Sequence, residues 1–301
     1  MAFDPTAHRD IYPFESHFHP VPGARLHYLD EGPKDAPPIV MVHGNPTWSL
    51  YYRELVKEFR RDHRVIVPDH VGMGLSDKPD DAAYPYRLER RVADLTSLLD
   101  TLGVTRDVTL VVHDWGGMIG MAWATRHRER VKRLVILNTG AFGLPPGKSF
   151  PTSLWIVRNT PVGAVLVRGL NVFARAASRW CALAKPLSPA LRDAYCAPYD
   201  SWANRIATLR FVEDIPLDAG HPSHAAVKAV EDNLTANFGG TPALICWGAR
   251  DFVFDDHFLA AWKKFLPGAE VHRFADAGHY VLEDAADRII PLMRAFLEKH
   301  R

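Results

Sequence analysis

The sequence predicts an α/β fold: a mostly parallel, doubly wound sheet that carries a helical insertion. Two observations lead there. Between Pro38 and Asn138, short runs rich in Val and Ile (PPIVMVHG, HRVIVPDH, VTLVVHD and RLVILN) alternate with helical patterns. Such nearly continuous apolar runs suit parallel strands buried on both faces, and strand and helix in this rhythm wind a sheet with helices on either side. The rhythm then stops: residues 140–235 hold Pro-marked helical pieces and no convincing strand.

Upstream, ESHFHPVPGARLHYLDEG reads as two antiparallel strands about a Pro22-Gly23 turn. Helices are expected over 49–61, 87–102 and 116–130, between the four apolar runs. After the insertion the alternation resumes with the strand PALICWGA, a helix near 258–265, the strand EVHRFADAG and a last helix from about Glu283. The expected division is a core of residues 1–139 and 236–301, with a helical cap at 140–235. There is no internal repeat and no low-complexity tract.

With 47% hydrophobic and 24% charged residues, the 301-residue chain has the composition of a globular protein. Its 36 Lys and Arg against 35 Asp and Glu leave a formal charge of +1, too balanced for a broad basic face that would hold nucleic acid. Cys181, Cys196 and Cys246 are odd in number and lack C-x-x-C spacing, which suits reduced thiols in the cytoplasm. The N-terminus, MAFDPTAHRDIYPFES, has acids and no apolar run of signal-peptide length, so no export is expected. The most apolar stretch starts near Leu154, but Arg158, Arg168, Arg175 and Arg179 interrupt it. Its uncharged run from Asn159 to Val167 is far shorter than the roughly 20 residues of a transmembrane helix.

The chemistry concentrates where apolar strands meet polar breaks. In VTLVVHDWGGMIG, Val108 to Gly120, a strand runs into His113-Asp114-Trp115-Gly116-Gly117 and a helix follows at once. This is the layout of a nucleophile elbow, with Asp114 in the place usually held by Ser. A carboxylate is anionic at neutral pH and attacks carbon without a base, leaving an ester on the protein. The same position also suits an Asp that caps the following helix. In IVMVHGNPTWS, a strand ends in His43-Gly44-Asn45-Pro46, where an oxyanion loop belongs. The Asn45 amide is a candidate donor to a departing anion, although Gly, Asn and Pro also simply make turns.

His279, in FADAGHY, follows the last strand and is the candidate base that draws a proton from water. Asp251, in CWGARDFVF, is the preferred acid to hold that imidazole, with a helix N-cap as its alternative role. The competing position for the acid, at the end of RLVILN, is Asn138, which carries no charge. Trp115 directly follows the nucleophile. Its indole N–H is a donor for an anionic leaving group, and its ring is equally suited to packing. His113 is expected to support the turn. No metal site is expected from His17, His19, His221 and His224, which lack acidic partners. Val71-Gly72-Met73-Gly74 reads as a turn rather than a dinucleotide loop.

With Asp114, Asn45, Asp251 and His279 in hand, the chain resembles the α/β-hydrolase fold over its whole length. More narrowly it resembles the haloalkane dehalogenases, through HGNPTWS, PDHVGMGLSDKP and VVHDWGGMIG. That resemblance implies that Asp114 attacks carbon, Asn45 and Trp115 hold the departing halide and His279 activates water. APYDSWANRIATLRFVEDIPL, Ala197 to Leu217, resembles the β-lactone decarboxylase branch, which turns cis-3,4-dialkyl-2-oxetanones into cis-alkenes and carbon dioxide in olefin biosynthesis. This implies a long-chain, lipid-derived substrate, no cofactor, and pathway partners in a β-lactone synthetase and a reductase. Haloalkane dehalogenation is the alternative with the same residues. An epoxide hydrolase would call on lid tyrosines, for which Tyr195 and Tyr199 are candidates; a non-catalytic lipid binder is a further reading. The Arg-studded stretch from Leu154 to Leu187 is a candidate lid, docking face or membrane-grazing patch.

Overall fold

The computed structural model describes residues 9–301; the first eight residues of the N-terminal segment, considered above for export, lie outside them. Eight strands form one sheet: β1 (His17–Val21), β2 (Ala24–Glu31), β3 (Pro38–Val42), β4 (Arg64–Pro68), β5 (Val108–Asp114), β6 (Val131–Thr139), β7 (Ala243–Gly248) and β8 (Glu270–Phe274). Their spatial order is β1-β2-β4-β3-β5-β6-β7-β8. β1 and β2 form the hairpin, β2 runs antiparallel to β4, and every later neighbour is parallel. The chain is therefore an α/β protein with a mostly parallel sheet.

Helices α1 (Arg53–Phe59), α2 (Leu88–Thr101) and α3 (Trp115–Arg126) alternate with the first strands. The cap holds α4 (Thr152–Asn159), α5 (Pro161–Ala164), α6 (Val172–Trp180), α7 (Pro189–Cys196) and α8 (Ile206–Glu213). The chain closes with α9 (His224–Phe238), α10 (Asp256–Phe265) and α11 (Val281–Lys299). Successive residues of β3 point to opposite faces, as pleating requires. Val40 and Val42 join one apolar cluster with α2, α3, α9 and α10, while Ile39 and Met41 join another with α1 and α11. That two-sided burial is why the strands read as unbroken apolar runs.

Three boundaries differ from the sequence reading. The helix expected over 49–61 opens as a 3-10 turn at Ser49–Tyr52 before α1 begins. The one expected over 116–130 ends at Arg126, because His127 leaves helical geometry and Arg128–Arg130 form a separate 3-10 turn. The cap boundary expected at 235 falls inside α9. Val227, Val230, Leu234 and Phe238 pack with the sheet and α3 in one cluster, so this helix goes with the core.

The glycine-bearing segment after β4 is a turn, as expected. Asp69 organises it, accepting the N–H groups of Ser49 at 2.6 Å and Leu75 at 2.8 Å and pairing with His27 Nδ1 at 2.9 Å.

Candidate active site

Asp114 ends β5 and α3 begins one residue later. Its backbone sits at φ 50°, ψ −125°, a region that costs a non-glycine residue roughly 1–3 kcal/mol and turns the side chain off the strand axis. The turn closes because Gly116 has no side chain: a Cβ there would lie 1.9 Å from the Val42 carbonyl oxygen. Thr139 Oγ1 donates to the Asp114 carbonyl and pins the elbow to β6. Asp114 occupies the N-cap position of α3, but its carboxylate faces the neighbouring loop and a cavity. Oδ1 accepts the Asn45 N–H at 2.6 Å, and the Trp115 N–H also favours the anion. Oδ2 lies 3.6 Å from His279 Nε2.

His279 Nδ1 meets Asp251 Oδ2 at 2.7 Å. The other Asp251 oxygen accepts the N–H groups of Val253 at 2.8 Å and Phe254 at 3.0 Å, so the acid stabilises its own loop. It does not cap the following helix; Asp255 does that, accepting the His257 N–H. Asn138, the rival position for the acid, also belongs to the network. Its Nδ2 donates to Asp251 Oδ2 and to the Gly248 carbonyl, both at 3.0 Å, and its Oδ1 accepts the Gly248 N–H at 2.7 Å. The neutral amide thus orients the carboxylate, which then orients the imidazole. His113 supports the elbow from below: its Nε2 bonds the His279 carbonyl at 2.9 Å, and its ring stacks on Tyr51 at 4.3 Å.

Asn45 departs in part from its expected role. Its Nδ2 already donates to the Thr208 carbonyl of α8 at 3.0 Å, tying the oxyanion loop to the cap. Nδ2 carries a second hydrogen, and Asn45 lines the cavity. Trp115 lines the same cavity and packs edge-on against Phe211, with ring centroids 5.3 Å apart.

The cavity, about 420 Å³, joins Asp114, Asn45, Trp115 and His279 to apolar cap residues that include Leu154, Val157 and Phe173. Tyr195 and Tyr199 do not line it. Tyr195 donates to Glu283, and Tyr199 reaches the Thr47 carbonyl at 3.4 Å, so the lid tyrosines suggested for epoxide opening are spent on packing.

The sequence gives no warning of Asp284 and Glu283. Buried Asp284 accepts the N–H groups of Gly278, Leu183, Ala184 and Lys185, fastening the His279 loop to the cap. Glu283 takes two bonds from Arg53, at 2.5 and 2.8 Å. Their only local signal is a pair of acids opening a helix, which also describes ordinary charge placement in a first turn.

Burial pushes the Asp114 carboxyl above the ordinary aspartate range, against the pull of His279 and the two N–H groups. Burial works the other way on His279, but the carboxylates of Asp251 and Asp114 outweigh it and raise this imidazole. A nucleophilic Asp114 must be ionised. The acid limb of kcat/KM is therefore expected above the usual Asp pKa of about 4. A pH–rate profile checks this, and a limb at or below that value contradicts it.

A family model described as the alpha/beta hydrolase fold matches residues 37–286. The chain is 55% identical over 287 residues to a cis-3-alkyl-4-alkyloxetan-2-one decarboxylase of Shewanella oneidensis, covering 95% of this chain and 89% of that one. It is 50% identical to the protein of that name from Xanthomonas campestris, over 93% of this chain and 94% of the other. The chain belongs to the α/β-hydrolase family, in its cis-3-alkyl-4-alkyloxetan-2-one decarboxylase branch. Haloalkane dehalogenases stand further from this branch: one from Mycobacterium marinum is 34% identical over 93% of this chain and 94% of its own. In structure, a loop variant of a haloalkane dehalogenase from Bradyrhizobium elkanii superposes with a TM-score of 0.84 at 26% identity, covering 95% of this chain and 97% of the other. The decarboxylase branch thus shares its architecture with the dehalogenases.

Proposed function

We propose that this protein is a β-lactone decarboxylase that converts a cis-3,4-dialkyl-2-oxetanone into a cis-alkene and carbon dioxide, with Asp114 as nucleophile. Asp114 Oδ2 attacks the ring carbon that bears the lactone oxygen, with inversion. The carbon–oxygen bond breaks, and its electrons leave on a carboxylate. The bond from that carboxylate to the neighbouring carbon then breaks, its pair becomes the alkene π bond, and Asp114 departs from the opposite face. Inversion followed by anti departure preserves the cis relationship. Carbon dioxide leaves, Asp114 is restored, and the scheme calls on no water and no cofactor.

One observation favours attack at the alkyl carbon over attack at the carbonyl. The Asn45 N–H, a loop donor of the kind that forms an oxyanion hole in this fold, bonds Asp114's own Oδ1 at 2.6 Å, and the Trp115 N–H favours the same carboxylate. An acyl oxyanion would have to displace them. The second Nδ2 hydrogen of Asn45, with Trp115, is the proposed support for the released carboxylate. Imidazolium at His279, with Asp251 behind it, balances the single negative charge as it moves from Asp114 to the substrate carboxylate. The chain resembles enzymes of olefin biosynthesis, so its proposed setting is the cytoplasm, beside a β-lactone synthetase and a reductase.

The rival reading, hydrolytic dehalogenation, shares these residues but routes water oxygen through Asp114. Repeated turnover in heavy-oxygen water separates the two. Mass spectrometry of the Asp114 peptide is expected to show no label after alkene formation; label entering that carboxylate would overturn the scheme. In the same test His279→Ala slows alkene formation by about 10²-fold, through weaker electrostatic support of the first step, without accumulating an Asp114 ester. A hydrolytic enzyme would stall there as the ester.

A further inference from the structure

The exposed large apolar side chains are not scattered. Among the described residues all but Phe18 lie on the cap or, for Phe252, on the loop beside it. Trp180 is 64% exposed, Leu170 57%, Val165 55%, Val162 54%, Trp202 50% and Trp155 49%. Trp180, Val172, Leu144 and Phe252 are exposed and also line the cavity, so they form the rim of its mouth. Isolated apolar residues on a surface need no explanation, but a grouped set marks a contact site.

The same segment is rich in positive charge. Residues 140–213 contain nine Lys and Arg against three Asp and Glu, in a chain whose formal charge is +1. Elsewhere arginines are commonly matched to acids, as in Arg25–Asp77, Arg64–Asp30, Arg126–Glu89 and Arg294–Glu58. On the cap Arg210 is paired, but among the described residues Arg158, Arg168, Arg175, Arg179, Arg192 and Arg205 form no ion pair. Arg175, Arg179, Arg192 and Arg205 converge on a second pocket of about 400 Å³, which Asp193 and Asp200 also line. Helix α6 divides the two features: Val172, Phe173 and Trp180 face the catalytic cavity, and Arg175 and Arg179 face the arginine pocket.

We propose that the cap docks on an anionic lipid surface, with its apolar rim set among the headgroups and its unpaired arginines on their phosphates. Tryptophan suits that depth, since its ring is apolar and its N–H polar. Guanidinium matches phosphate in two-pronged geometry. A second copy of the chain is the poorer occupant, because two faces of this charge repel. Docking places the cavity mouth against the lipid, so a water-insoluble alkyl substrate enters without crossing water. That delivery step rests on the decarboxylase reading; the docking itself does not.

The test is co-sedimentation of the full chain with phosphatidylcholine vesicles, with and without phosphatidylglycerol. Binding is expected to be at least about tenfold tighter with the anionic lipid and to weaken as salt rises. Arg175→Gln with Arg179→Gln is expected to lower affinity about thirtyfold, a factor of about five for each charge. Val162→Asp with Leu170→Asp, neither of which lines the cavity, is expected to abolish binding. Both pairs should keep the parental circular dichroism and the parental rate on a short, water-soluble cis-β-lactone. Equal binding to both vesicles, or vesicle affinity unchanged in both pairs, overturns the proposal, as does an oligomer that the Asp pair dissociates while vesicles are ignored. Vesicle binding without lactone turnover would sink the decarboxylase reading and leave docking standing.

Discussion

Asp114→Ala is expected to lower alkene formation from a cis-β-lactone by at least about 10⁴-fold, because the proposed scheme starts with a bond made to that carboxylate and ends with the release of that bond. The loss is expected in turnover and not in folding. Asp114 is buried, and burial raises its carboxyl above the ordinary range. A carboxyl whose folded pKa exceeds its unfolded one favours the folded state at low pH, and that advantage is lost as pH rises through the folded value. At neutral pH its ionised form is therefore a burden to folding, and removing it is expected to leave the melting temperature equal or higher. Thermal denaturation and product analysis on one preparation check both halves. A folded variant with parental turnover would mean that another group makes the covalent bond.

Gly44→Ala is expected to have the next largest effect, on the same carboxylate but from the neighbouring loop. A Cβ at Gly44 would stand 2.0 Å from Asp114 Oδ1 and 2.5 Å from its Cγ. Either the carboxylate swings away or the loop retreats, and both break the 2.6 Å bond from the Asn45 N–H. A shift of about 1 Å at a reacting atom costs about 10²-fold in rate, and the loss of a preorganised donor a comparable factor. Turnover by the variant is therefore expected to slow by about 10²–10³-fold, which steady-state kinetics on the cis-β-lactone measures. Unchanged kinetics in a folded Gly44→Ala protein would show that the loop absorbs a methyl group without moving the nucleophile.

Both residues stand where a buried strand meets a polar break, and that is where the sequence is legible. β3, β5 and β7 are apolar along their length, so His43-Gly44-Asn45, Asp114 and Asp251 stand out at or beyond their ends. Long-range choices are not legible. Asp251 and Asn138 compete for one role when only chain position is known, yet the fold uses both, joined by a 3.0 Å hydrogen bond. Tyr195 and Tyr199 look available for catalysis because nothing local shows that their hydroxyls point to Glu283 and Thr47. Asp284 escapes notice because three of its four N–H partners, Leu183, Ala184 and Lys185, come from a distant cap loop. The limit of the cap is misplaced because α9 carries its apolar stripe toward α3, a preference the helix pattern alone leaves open.

The bond from Asn45 Nδ2 to the Thr208 carbonyl bears on any effort to redesign this enzyme by exchanging its lid. A chimera that keeps the sheet and grafts a foreign set of roof helices inherits the amide but not its acceptor. Unless the donor supplies a main-chain oxygen at the same height, the asparagine rotates and the loop beneath it slackens. Substrate range and catalytic alignment are thus wired to one another in this scaffold, and a successful graft has to carry the α8 segment along.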